Sequence, residues 1–152
     1  MYKATRAALL AAATVAMSAA VLTTTPQSAS AAPTCTRTAT VTAVQDAGDL
    51  HPFRINVPST GTTAASTSCD MGVGAQSSAV RALQLTLNKC YDADLGQPDG
   101  IFGTRTRAAL RDAQRIAGMS TNQRDGVYGP LTRNRIRHYN GEGYPCKRYD
   151  GR

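Results

Sequence analysis

The sequence predicts an all-α fold: a small three-helix bundle preceded by a short stretch of β character that a disulfide closes off. Three observations carry this. A turn-plus-helix unit occurs twice in the C-terminal half, and a third amphipathic segment stands before the two copies. Four cysteines lie scattered through the chain, as expected where a small core needs covalent support.

The first element is a leader. Lys3 and Arg6 make the opening residues basic, an apolar run extends from Ala7 to about Leu22, and the small residues Ala29-Ser30-Ala31 follow. Basic, apolar and small-x-small segments in that order form a secretory signal, with cleavage expected after Ala31. A membrane anchor is the competing reading of the apolar run. Three threonines at 23–25, Pro26 and the Ala-Ser-Ala site argue against it. Removing Lys3 and Arg6 takes the net charge from +7 to +5, with 15 basic and 10 acidic residues left. A basic exported protein is drawn to polyanions in general: acidic wall polymers, anionic lipid, nucleic acid.

Next comes an extension, residues 32–73. Residues 36–44 alternate loosely in Thr and Val, and residues 53–57 form a second short apolar run, so both are expected as strands. Residues 58–68 are rich in Ser, Thr, Gly and Ala and read as a linker. Cys35 and Cys69 bracket this stretch, while Cys90 and Cys146 flank the later helices. Four cysteines allow three pairings, and the sequence does not choose among them. The preferred set is Cys35–Cys69, closing the extension, with Cys90–Cys146, stapling the first helix to the tail. There is no C-x-x-C pair, and only His51 and His138 could assist one, so neither metal nor cofactor is expected.

The domain proper is expected over residues 74–140, with a tail at 141–152. Ser77 or Ser78 suits an N-cap, and Val80, Leu83 and Leu87 recur at helical spacing. After a loop at 91–98, residues 99–110 read D-G-I-F-G-T-R-T-R-A-A-L, and residues 125–136 read D-G-V-Y-G-P-L-T-R-N-R-I, at a constant offset of 26. Five positions are identical and three more keep their class, so one unit is used twice. Asp-Gly marks a turn, the apolar and aromatic residues plug a core, and the second Gly opens the way into a helix. Pro130 suits a first helical position. In the second helix Ala109, Leu110, Ala113, Ile116 and Ala117 keep helical spacing, and a shorter third is expected to carry Leu131, Ile136 and Tyr139.

The order V-x-x-L-Q-x-x-L-N (Val80, Leu83, Gln84, Leu87, Asn88), D-G-I-F-G-x-x-T (from Asp99), then D-G-V-Y-G-P-x-T (from Asp125) resembles the peptidoglycan-binding type 1 family. The likeness covers about 65 residues. It implies a three-helix module, of a kind often appended to wall hydrolases, that holds bacterial cell-wall material in a shallow groove near the turns and helix starts. By that resemblance the candidate ligand-binding residues are Asp99, Gly100, Phe102, Gly103, Arg105, Asp125, Gly126, Tyr128, Gly129 and Thr132. The same residues have a plainer role as turn formers, helix starts and, for Phe102 and Tyr128, core plugs. Two departures stand out. Ala113-Gln114 replaces the family's Phe-Gln, which predicts a looser middle helix, and the loop after Cys90 is long.

A search for catalysis finds no G-x-S-x-G, no H-E-x-x-H and no protease-like Cys–His pairing. His138 is expected on the last helix, as a cap or surface residue. Asp92, Asp94 and Asp99 share one turn-rich loop, where solvation or calcium is a better reading than a glycosidase pair. Arg107, Arg111 and Arg115 fall on one helix face, and Arg133, Arg135 and Arg137 follow the second turn. They read as a solvated face, or as a patch for carboxylates or phosphates of the wall. Export, the cysteines and the lack of an aromatic stacking surface disfavour nucleic acid. The expected function is therefore non-catalytic binding of peptidoglycan or another wall polymer, outside the cell or on its wall, with no nucleic acid and no integral membrane association. The alternatives are a secreted protein–protein or inhibitor module, a minimal wall hydrolase using His138, and a cationic membrane-active protein.

Overall fold

A computed structural model describes residues 32–45, 52–142 and 146–150. The expected leader and His51 lie outside the described residues.

Three helices form where the sequence places them. Helix α1, Ser78–Cys90, starts at Ser77, whose extended backbone and hydroxyl, accepting from the Val80 N–H at 3.3 Å, make an N-cap. Its inward face is Ala79, Val80, Leu83 and Leu87, with Gln84 and Thr86 also buried. Helix α2, Thr104–Ile116, follows Gly103 and buries Leu110 and Ala113 against α1. It runs unbroken to Ile116 despite the small Ala113. Helix α3, Pro130–Arg135, begins on the expected proline. Phe102, Tyr128 and Ile136 complete this core, and the Cys35–Cys69 disulfide is buried in it.

The fold is not all-α. Strands β1, Arg37–Thr42, and β2, Arg54–Ser59, pair antiparallel from Arg37↔Ser59 to Thr42↔Arg54. The alternation turns Ala39, Val41 and Ala43 inward onto Ile55 and Val57, a second small core that Tyr149 of the tail covers. Residues 58–68 are not a free linker. Pro58 and Ser59 belong to β2, Ala64–Thr67 form a 3₁₀ turn, and the buried Arg133 donates to Thr67 Oγ1 at 2.6 Å. Polar residues can be tied down when side-chain hydrogen bonds replace apolar burial.

The end of α3 is a second correction. The helix stops at Arg135, Ile136 turns to extended backbone, and Arg137–His138 form β3, paired with β4, Lys147–Arg148. The Cys90–Cys146 disulfide delivers β4 to this position and gives the chain a backbone partner in place of another helical turn. Both disulfides thus follow the preferred pairing. His138, expected near a helix surface, is fully buried on β3.

Candidate functional site

The two Asp-Gly turns are held by one device, repeated. Gln84 of α1 donates from Nε2 to Asp99 Oδ1 at 2.7 Å, to the Ile101 carbonyl at 3.1 Å and to Thr106 Oγ1 at 3.4 Å. Its Oε1 accepts the Gly100 N–H at 2.9 Å. Gln114 of α2 does the same one unit later. It donates to Asp125 Oδ1 at 3.0 Å, the Val127 carbonyl at 3.1 Å and Thr132 Oγ1 at 3.0 Å, and accepts from the Gly126 N–H at 3.0 Å. In each turn the aspartate also accepts the N–H two residues on, Ile101 or Val127. A side-chain amide is suited to this because it offers donors and an acceptor on one rigid plane. The Gln84 and Ile101 bonds hold the Asp99 carboxyl below its usual range.

These clasps show where the resemblance-derived residues stand. Asp99 and Gly100 meet Gln84 in the first clasp; Asp125, Gly126 and Thr132 meet Gln114 in the second. Phe102 and Tyr128 are buried in the core, and Gly103 and Gly129 are the N-cap positions of α2 and α3. Arg105 alone of the ten lines a described cavity. Sequence reading places both glutamines in the family's pattern and gives neither a role. The available signal was that each follows a core position of a helix, Leu83 or Ala113, with an Asp-Gly downstream.

Between the loop that follows α1 and helix α2 lies a groove of about 430 Å³. One wall is the loop at 91–95; the other is the α2 face carrying Arg105, Ala108, Ala109, Asp112, Arg115 and Ile116. Asn88 pins the loop, donating to the Gly96 carbonyl and accepting from the Leu95 N–H, while Arg105 Nη2 donates to the Asp94 carbonyl at 2.6 Å. The lining mixes apolar side chains, among them Ile116 at 59% exposed, with charges of both signs, including the Arg115–Asp112 pair at 3.4 Å. The expected arginine face is partly structural: Arg107 Nε donates to the Asp125 carbonyl and Arg111 Nε to the Arg124 carbonyl.

His138 faces inward. Its Nε2 donates to the Arg133 carbonyl at 3.0 Å, its Nδ1 has no partner, and burial lowers its pKa to about 4. The ring is neutral and shut away from any substrate. Among the described residues no cluster of His, Cys, Asp or Glu is placed to hold a metal ion.

Residues 76–136 match the model of a protein family described as "Putative peptidoglycan binding domain". The match begins just before α1 and ends at Ile136, so it contains all three helices, both clasps and both walls of the groove. Neither the curated proteins nor the solved structures contain a match to the chain.

Proposed function

We propose that this protein is a non-catalytic binder of bacterial peptidoglycan, working outside the cell or on its wall, and that the ligand lies in the groove between residues 91–95 and α2. The family match over the elements that build this groove carries the reading. The chemistry supports it. Peptidoglycan combines amino sugars with short peptides bearing methyl, amino and carboxylate groups. The apolar lining residues suit the methyls, and Asp92, Asp94, Asp112, Arg105 and Arg115 suit groups of either charge. A buried, neutral His138 supports binding without hydrolysis. Two disulfides suit an oxidising location, and no helix among the described residues is long and apolar enough to cross a membrane.

The test is co-sedimentation of the oxidised protein, freed of residues 1–31, with purified insoluble peptidoglycan at low and high salt. Retention at both is expected. Ile116→Asp, at an exposed position on the α2 wall, should fold normally and lower retention on the order of tenfold, about 1.4 kcal/mol. Binding that vanishes at high salt, or that Ile116→Asp leaves untouched, would sink this reading and point to a protein partner.

A further inference from the structure

Across Tyr91 and Ile116 from the groove lies a second pocket of about 320 Å³, lined by Arg135, Arg137 and Arg148 and, among the described residues, by no carboxylate. Its construction is unusual for a merely solvated surface. Arg137 and Arg148 stand directly opposite each other in the β3–β4 ladder. Cross-strand partners in that position project to the same side with Cβ atoms about 5 Å apart, and like charges there destabilise the pair. No side-chain hydrogen bond or ion pair among the described residues relieves any of the three guanidinium groups. Arg135 alone has an ordinary explanation, since it closes the last turn of α3, where a cation suits the helix dipole.

The pocket is also held rigidly. The Cys90–Cys146 disulfide ties the tail to the end of α1, and the Val44 N–H donates to the Arg148 carbonyl at 2.8 Å. The Tyr91 hydroxyl accepts the Arg137 N–H at 2.6 Å, so the ring shared by both pockets is fixed beside the arginines. Arg137 and Arg148 lie outside the family match, which makes this a feature of the present chain added to the shared module.

We infer that Arg135, Arg137 and Arg148 form an anion site for the phosphate groups of a phosphodiester polymer in the wall, bound next to the peptidoglycan groove. A lone carboxylate has two oxygens and is satisfied by a single guanidinium fork. Three unneutralised forks call for more negative charge than that, and a polymer supplies it by presenting successive phosphates. The inference rests on the proposed peptidoglycan reading only for where the polymer is found.

The experiment compares intact cell walls with walls stripped of phosphodiester polymers by hydrofluoric acid, at one ionic strength. Wild type should bind intact walls more strongly. Arg137→Gln/Arg148→Gln should bind intact walls on the order of tenfold more weakly, and stripped walls as wild type does. A double variant that binds intact walls like wild type overturns the inference. Wild type that binds intact walls through these arginines and fails on stripped walls upholds the anion site and removes the peptidoglycan reading instead. Vesicles containing phosphatidylglycerol are the third arm, and arginine-dependent binding to them as strong as to intact walls overturns the assignment to a wall polymer. Folding is controlled by Arg148→Glu, which places an acid opposite Arg137. It should raise the thermal midpoint and abolish the preference for intact walls, and a variant that is more stable yet keeps that preference overturns the inference.

Discussion

The first and second turns share a clasp and differ in what lies over it. Gln84 reaches an aspartate 15 residues away, whereas Gln114 reaches one 11 residues away. The extra residues lie in α1, since Gln84 stands one turn deeper in its helix than Gln114 does in α2, and the loops from helix end to aspartate are equally long. The loop before the second turn holds the 3₁₀ turn Thr121–Gln123. The Arg107 and Arg111 stems lie over the second turn, and Met71 pairs with Tyr128 through two backbone bonds of 2.9 Å each, as Ser77 and Ala75 bond to Gly100 and Phe102 at the first. The second turn is therefore covered by arginine stems more closely than the first. A duplicated unit can differ in its surroundings in this way, because the clasp fixes the turn while the path of the loop before it is free to vary.

The largest effect is expected from removing a clasp. Gln114 is fully buried, and Gln114→Ala would strand the buried Gly126 N–H and leave the partner atoms of Val127 and Thr132 without their amide. A loss of about 3–4 kcal/mol is expected in chemical denaturation. Gln84→Ala should cost somewhat less, about 2–3 kcal/mol, because Gln84 is 4% exposed where Gln114 is fully buried. Equal costs would mean that the covering of the second turn adds nothing to its clasp.

Acid should separate the two turns next. His138 stacks edge-on against Tyr128 at 6.1 Å, while Phe102 has no titratable ring against it among the described contacts. The unfolded chain protonates this histidine near 6.5, whereas the folded protein does so only near 4. Between those values the unfolded state holds more protons, so stability falls as pH drops from 6.5 to 4 and the contribution is intact above 6.5. The decline should total about 3 kcal/mol. Hydrogen exchange should show the Val127 amide losing protection before the Ile101 amide. His138→Gln should flatten the profile, and an unchanged slope would place the acid sensitivity elsewhere.

What the sequence made legible was local. The Ser77 cap, Pro130 at a helix start and the Asp-Gly turns depend on neighbours a few residues away, and each stands where expected. The disulfide partners were narrowed to three sets, with the observed one preferred. What was not legible depends on distant partners. Residues 58–68 have a linker's composition, yet Arg133, 66 residues from Thr67, fixes their end. The β3–β4 ladder exists where a disulfide spanning 56 residues supplies a strand. At the site, Arg105 was foreseen as a candidate, but the groove needs Asn88 to hold the opposite loop, and the role of the glutamines was hidden because their partners lie on another element.

Alanine at the turn glycines tests the packing directly. Gly100 and Gly126 both have positive φ, +79° and +71°, so an added side chain strains either one. The space around them differs. A Cβ at 126 would lie 2.6 Å from Arg107 Cγ and 2.9 Å from the Arg107 carbonyl oxygen, whereas at 100 the nearest atom is the Ser77 oxygen at 3.0 Å. Gly126→Ala should cost about 3 kcal/mol and Gly100→Ala about 1–2 kcal/mol. The arginine stems account for that difference, so Arg107→Ala should narrow it.

The smallest effect lies at the second glycine of each unit, where strain plays no part. Gly103 and Gly129 both have negative φ and both start a helix. Nothing lies within 4 Å of a Cβ at 103, while at 129 it would meet Asp70 Oδ1 at 2.5 Å. At 103 the loss of an N-cap preference and the gain from a stiffer unfolded chain roughly cancel, so Gly103→Ala should change stability by less than about 0.5 kcal/mol. Gly129→Ala must move the Asp70 side chain, which is short and can rotate, at about 1 kcal/mol. Asp70 follows Cys69, so the same substitution should disturb the chain beside the Cys35–Cys69 bridge. Gly103→Ala should leave that region's amide spectrum unchanged. If the two substitutions proved equally silent, the extension would be leaning on the second turn without depending on it.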